Sequence, residues 1–436
     1  MRHLIGKLDA AVVGGGLAGL TAAALLATRG RRVAMFERSA TIGGRAVTHL
    51  ENGFHLNLGP HAWYTGGPGT KILAALGIGV PGRVPQPRGA FALYGDRLHT
   101  LPIGFVSLLT TDLLSLHGKL SAAKLLASLP RMNTAAFSDR TIGEWLEQQL
   151  PDARTRDVIN MFIRVAAYAN APHLLSADAA LYGFQLAVRD NVQYLDGGWQ
   201  SLVDALSAVA QARGAEIVRG APVAEVVHDG LVRGVRLGDG EVATAPNVIL
   251  AVPPAAARGL LAHADPSVTE TWQGIAARAA CLDLGLARLP NPVNTVTFGV
   301  DQPLYYSVHS ATAALAPDGH AMVHVAKYLD PSKPHDAAAT ERELESFLDR
   351  LQPGWRAEVI VRRYLPSMTV THAIPTVAGG GLRGRVPVAV RDLAGLYLAG
   401  DWVGDEGTLA NASVASAARA AQLVATRGSQ VRSAVA

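Results

Sequence analysis

The sequence predicts an α/β fold in which a parallel sheet, assembled from separated stretches of chain, is interleaved with a mixed α+β part. Three observations predict it: a short apolar strand entering a glycine-rich turn at 9–19, β-type segments joined by Asp-Gly turns at 222–252, and a strand–loop–helix stretch at 396–426. Of 436 residues, 49% are apolar and 17% charged. That composition excludes a disordered chain and suffices for two or three domains with cores of their own. The single cysteine, Cys281, excludes an intrachain disulfide, a Cys-rich zinc site and a paired-thiol redox centre, and makes a cytoplasmic location the expectation. Net charge is only +4 and the basic residues are scattered, so no nucleic-acid partner is expected.

The run Ala10–Thr28 carries no charge and by hydropathy alone resembles a membrane span or a signal-peptide core. Its order argues otherwise. Asp9-Ala10-Ala11-Val12-Val13 reads as a buried strand and runs into Gly14-Gly15-Gly16-Leu17-Ala18-Gly19. A helical stretch follows, with Leu17, Leu20, Ala24 and Leu25 near one face, and Gly30 ends it. Arg32–Phe36 is then a second strand closed by an acid, Glu37. Strand, GxGxxG, helix, strand and acid form a Rossmann-like mononucleotide unit. Glycines 14, 16 and 19 shape the turn, the N–H groups of Leu17 and Ala18 face a pyrophosphate, and Glu37 accepts from ribose hydroxyls. An acid in that place, rather than an arginine, selects FAD or NAD over NADP.

Glu37-Arg38 leads into Gly43-Gly44-Arg45, and Gly53-Phe54-His55-Leu56-Asn57-Leu58-Gly59-Pro60-His61 follows. These segments resemble the flavoprotein superfamily of amine oxidases, phytoene-type desaturases and protoporphyrinogen oxidases. The resemblance implies non-covalent FAD. Arg38 and Gly44 would lie along it, Arg45 would pair with its pyrophosphate, and Gly59, Pro60 and His61 would lie near the flavin ring. Arginine suits the first task because its fork matches phosphate oxygens.

Two later segments fit the same superfamily. Trp199–Val209 reads as a helix, and Pro222–Val227, Val232–Leu237 and Glu241–Thr244 read as an antiparallel meander around Asp229-Gly230 and Asp239-Gly240. By resemblance the backbone of Val223 holds adenine. The closing stretch Leu398-Ala399-Gly400-Asp401-Trp402, then Gly407-Thr408-Leu409-Ala410, resembles the family's last motif. It implies that Gly400 and Asp401 meet the ribityl or pyrophosphate region. Backbone N–H groups at Leu409 and Ala410, with their helix dipole, would stabilise negative charge at the pyrimidine edge of the flavin. Asn411-Ala412-Ser413 departs from the Glu-Gly-Ala usual there.

The expected architecture is therefore an FAD-binding domain of residues 1–84, 191–255 and 386–436 and a substrate-binding domain of 85–190 and 256–385 with an apolar helical cap. Leu101–Met132 reads as helices covering an apolar substrate tunnel, with a membrane-dipping face as the less favoured reading. His61 and Lys327 are the catalytic candidates, the latter because amine oxidases use a lysine near flavin N5, although its surroundings do not match. Trp402 and Tyr364 are candidates for walls of the substrate cleft. Two decoys are rejected. Gly66–Lys71 has the wrong spacing for a phosphate loop, and His320 with His324 lacks a third metal ligand on what reads as a strand.

The expected activity is hydride transfer from a C–H bond of an apolar molecule to FAD, by a desaturase, reductase or isomerase of a terpenoid or polyene, with oxygen or a quinone as acceptor. An amine oxidase is the runner-up, and a non-catalytic lipid or prenyl carrier on the same scaffold a third reading.

Overall fold

A computed structural model describes residues 8–86 and 88–435, with side chains to residue 427. Five parallel strands form the first sheet, in the order Glu216–Arg219, Val33–Glu37, Ala10–Val13, Val248–Leu250 and Leu396–Leu398. Their residues come from four distant stretches of chain. The three central strands, Val33–Glu37, Ala10–Val13 and Val248–Leu250, are buried almost throughout because helices cover the sheet, which is why they are apolar without alternation. The helix Leu17–Thr28 is buried on nearly every side between this sheet and the helices Gln200–Ala212 and Leu409–Val435. That is the physical reason for the uncharged run: it is a strand, a turn and an enclosed helix. Among the described residues no helix is long and apolar enough to cross a membrane.

The meander forms as expected, with strands Val223–His228, Val232–Leu237 and Val242–Thr244 pairing antiparallel. The closing helix runs from Leu409 to Val435, past the expected end near Thr426.

The second sheet has seven strands, in the order Val359–Thr371, Ala277–Leu286, Ala321–Leu329, Leu304–Val308, Val296–Gly299, Ala90–Tyr94 and Arg97–Thr100. All neighbours are antiparallel except Val296–Gly299 with Ala90–Tyr94. The amphipathic helix Ala337–Leu351 covers one face with Leu344, Phe347, Leu348 and Leu351. Near its other end stand the helices Ile142–Gln149, Ala153–Ala167 and Ala177–Asp190, which share a core with Leu101, Leu108, Leu113 and Leu125. The stretch 101–132 folds into two helices, Phe105–Thr110 and Leu116–Ser128. The second packs on Ala153–Ala167 and the first on the second, and no residue of 101–132 lines the main cavity, where helices covering a substrate tunnel were expected.

Candidate active site at the junction of the two sheets

A cavity of about 690 Å³ runs from the C-terminal ends of the parallel strands to the second sheet. In an open parallel sheet this is where ligands bind, because the loops leaving the strands diverge there. Gly14 turns the chain in a left-handed conformation (φ 104°), and a Cβ on it would stand 2.5 Å from the carbonyl oxygen of Ala251. A Cβ on Gly16 would meet nothing closer than 3.9 Å, so this glycine opens onto the cavity. As N-cap, Gly16 provides no side-chain acceptor, which leaves the first N–H groups of the helix Leu17–Thr28 available to an anion. Leu17 and Ala18 line the cavity there. Gly19 does not; a Cβ on it would lie 1.9 Å from the oxygen of Gly14, so its role is close helix-to-turn packing.

Glu37 and Arg38 also line the cavity. The Glu37 carboxylate accepts from Gly15 N (2.6 Å) and Ser39 N (2.8 Å), holding the turn as well as facing the nucleotide position. Gly44, Arg45, Val223, Gly400 and Asp401 continue the lining. Arg45 donates from Nη1 to Asp401 Oδ2 (2.8 Å) and to the carbonyl of Val370 (2.5 Å), and its other nitrogens have no hydrogen-bond partner among the described residues. Burial pushes the Asp401 carboxyl up, but the Arg45 charge and a hydrogen bond with His372 Nδ1 (3.0 Å) overcome it and hold the group well below the usual carboxylate range. A buried anion is thus matched to a guanidinium with donors to spare, a set suited to a pyrophosphate. These residues fit FAD: an open glycine, uncapped helix N–H groups, an acid at the strand end and a partly free arginine.

At the far end lie Pro60, His61, Tyr64, Tyr168, Met368 and Leu409. His61 packs edge-on against Trp199 (centroids 5.1 Å), and its Nδ1 lies 3.1 Å from the carbonyl of Gly59. Burial pushes its pKa down to about 4, against a smaller upward effect of that carbonyl, so the ring is neutral at pH 7. Gly59 itself does not reach the cavity. At φ 77°, a Cβ on it would strike Cys281 Sγ at 2.8 Å, so it turns the backbone that delivers His61. Tyr168 and Leu409 both have φ 51°, a left-handed conformation costly for side chains of this size, and both face the cavity. Ala410 lies beside Leu409 at the first turn of the closing helix. Asn411, in the departure from the usual motif, reaches back instead: its Oδ1 accepts from Gly69 N (2.8 Å) and its Nδ2 donates to the carbonyl of Tyr64 (3.1 Å). The rejected loop Gly66–Lys71 is thus a docking turn for that helix, and a Cβ on Gly67 would overlap Asn411.

Two site expectations are corrected. Lys327 lies outside the cavity, with Nζ 2.5 Å from Glu343 of the covering helix, because alternation along its strand aims it at the opposite sheet face. Tyr364 also lies outside, with its hydroxyl donating to the carbonyl of Ala337. Trp402 does line the cavity, but near the Gly14 turn, where Nε1 donates to the carbonyl of Val252. His324 sits on a strand with Nδ1 2.6 Å from Asp283, and no cluster of metal-ligating side chains occurs among the described residues. Sequence reading missed Tyr168, Met368, Val370 and His372, all of which line the cavity. Only the Thr369-Val370-Thr371-His372 strand pattern hinted at the last, with nothing to aim it at Asp401.

The family profile described as flavin containing amine oxidoreductase matches residues 17–425. Hydroxyneurosporene desaturase of Rubrivivax gelatinosus is 26% identical over 275 residues, 55% of this chain and 52% of that protein, so the match spans about half the length of that relative. Among solved structures, an oxidoreductase from Methanosarcina mazei superposes with TM-score 0.72 at 21% identity, covering 93% of this chain and 99% of the other. Cyclohexylamine oxidase from Brevibacterium oxydans gives 0.71 at 18% identity, covering 97% and 99%. With a profile match across nearly the whole chain, on a fold shared with these proteins and around a cavity whose residues fit FAD, the chain belongs to the flavin-containing amine oxidoreductase family.

Proposed function

We propose that the protein moves hydride between a C–H bond of an apolar terpenoid or polyene and FAD, most simply as a desaturase that removes the hydride and passes the electrons to oxygen or a quinone, with a related reductase or isomerase using the same hydride position. The observation that carries this reading is the far wall of the cavity. Tyr64, Tyr168, Met368 and Leu409 present aromatic and apolar surface there. The acids lining the cavity, Glu37 and Asp401, are both engaged at the nucleotide end, and Lys327 is turned away toward Glu343. A wall without charge favours an uncharged hydrocarbon over an ammonium ion, whose desolvation it would not repay. The similarity to a desaturase acting on hydroxyneurosporene points the same way.

Bound FAD supplies the hydride acceptor, N5 of its ring. The protein's own residues do the rest. Tyr168 and Met368 orient the substrate chain and exclude water from the reacting carbon. The N–H groups at Leu409 and Ala410, at the positive end of a long helix that lines the cavity, would stabilise negative charge on a reduced flavin held there. Neutral His61, with Nδ1–H directed to Gly59, leaves Nε2 able to accept a proton from the substrate.

Anaerobic mixing of the FAD-loaded protein with a detergent-dispersed linear polyene should bleach the flavin absorbance, with a product longer in conjugation. Fast bleaching by a primary or secondary amine, with none by polyenes, would reverse the assignment in favour of an amine oxidase.

A further inference from the structure

The helices Phe105–Thr110 and Leu116–Ser128 hold the densest exposed apolar surface of the described chain. Phe105 is 78% exposed, Val106 71% and Leu116 75%, and Ile103, Leu109 and Leu120 are also exposed. Six large apolar side chains within eighteen residues are far beyond the scattered exposure normal for a soluble surface. The pair is anchored from below. Leu108, Leu113, Leu114, Ala122 and Leu125 are buried in the helical core, and Lys119 Nζ donates to the carbonyl of Leu109, tying one helix to the other. On the second helix Leu116 and Leu120 lie one turn apart on the face opposite Ala122 and Leu125.

The carboxylates bordering this stripe, Asp96, Asp112 and Asp139, are each ion-paired, which leaves the unpaired charge positive. Residues 97–138 include Arg97, Lys119, Lys124 and Arg131 and a single carboxylate, Asp112. Asp112 is already paired with His99 (2.6 Å) and Arg97 (3.4 Å). By helical spacing Lys119 and Lys124 fall on either side of the Leu116–Leu120 stripe, and Lys124 makes no ion pair among the described residues. Apolar side chains at the tip, flanked by cations with long flexible stems, match a bilayer boundary: the former enter the acyl region while the latter stay at headgroup phosphates.

We propose that this face docks the protein on the surface of an anionic lipid bilayer, without spanning it. A protein partner would need a complementary apolar groove and acids, whereas a lipid surface supplies both features at once. The second of these helices packs on Ala153–Ala167, which leads directly into Tyr168 at the cavity wall, so docking would set the substrate end of the cavity close to the membrane. The docking does not depend on which compound is oxidised, and its test uses no substrate.

The full-length FAD-loaded protein is floated with vesicles of phosphatidylglycerol and phosphatidylcholine, and separately with phosphatidylcholine alone. Binding to the anionic vesicles should exceed binding to the neutral ones by about tenfold or more and weaken with salt. Phe105→Glu with Leu116→Glu should lower it by about tenfold or more while flavin absorbance and thermal unfolding stay unchanged. Phe105→Trp provides a readout that does not rely on disruption: its fluorescence should shift to the blue with anionic vesicles. Equal flotation of the Glu variant, or no blue shift, would overturn the proposal. So would a wild-type dimer that the Glu variant converts to a monomer with flotation unaltered, since the occupant would then be a second copy.

Discussion

The parallel sheet and the seven-stranded sheet hold opposite ends of one cavity by different means. At the nucleotide end the ligand surface is mostly backbone: glycines where a Cβ would collide, helix N–H groups and carbonyls, fixed by strands with almost no exposed surface. At the substrate end the surface is side chain: Met368 on the largely half-exposed edge strand Val359–Thr371 of the second sheet, with Tyr168 from the end of the helix Ala153–Ala167 and Tyr64 from the short strand Trp63–Tyr64. The difference follows from what each end must recognise. A pyrophosphate needs donors at fixed positions, which backbone supplies; an apolar chain needs shape, which side chains supply and can vary without disturbing the fold.

The largest test of that contrast is Gly19→Ala. A Cβ there would overlap the Gly14 oxygen at 1.9 Å, and the turn and helix cannot separate without losing their packing. A loss of about 3 kcal/mol of stability and failure to retain FAD are expected, read by denaturant unfolding and flavin absorbance. Wild-type stability together with retained FAD would break the comparison at its stronger end.

Acid provides the next effect. His61 titrates near 4 and burial keeps His309 well below 6.5, so each binds a proton in the unfolded chain before it does in the folded one. A depressed imidazole pKa makes stability complete above pH 6.5 and progressively lost as pH falls toward 4. For His61 the loss is at most about 3 kcal/mol. The melting temperature should therefore fall steeply between pH 6.5 and 4, and His61→Gln should flatten part of that slope.

Glu37→Ala removes the acceptor for Gly15 N and Ser39 N and the acid expected to meet a ribose. FAD affinity should drop by about ten- to a hundredfold with the chain still folded, measured by flavin fluorescence titration. Unchanged affinity would show that the glycines and Arg45 suffice. At the small end, Lys327→Met should change turnover less than about twofold, because the side chain faces Glu343 and not the cavity. A loss of a hundredfold or more would place a reacting lysine where the structure puts none.

These contrasts also explain what could be read from the chain. The nucleotide end was legible because its determinants are local: Gly14, Gly16, Gly19 and Glu37 lie within two dozen residues, and each type is dictated by backbone geometry or by one hydrogen bond. The order of Gly44-Arg45, the Asp-Gly meander and Gly400-Asp401 extended that reading across distant segments. Tyr168 was not legible, since a tyrosine at the end of a helix looks like core until its left-handed backbone and its place beside Met368 on the cavity wall are known. Lys327 and Tyr364 misled because strand alternation gives two faces without saying which is inward.

Local spacing was enough to establish a mononucleotide turn, the acid and the arginine that suit FAD, and a family resemblance, because it constrains how closely backbone approaches a phosphate. Long-range packing brought Arg45 to Asp401 across 356 positions, added His372 to the pair, and left Phe105 and Leu116 outside while Leu108 and Leu125 anchor their helices. Contacts of that kind are made by packing between distant segments, and a pattern of apolar residues records that something is to be covered without recording what covers it.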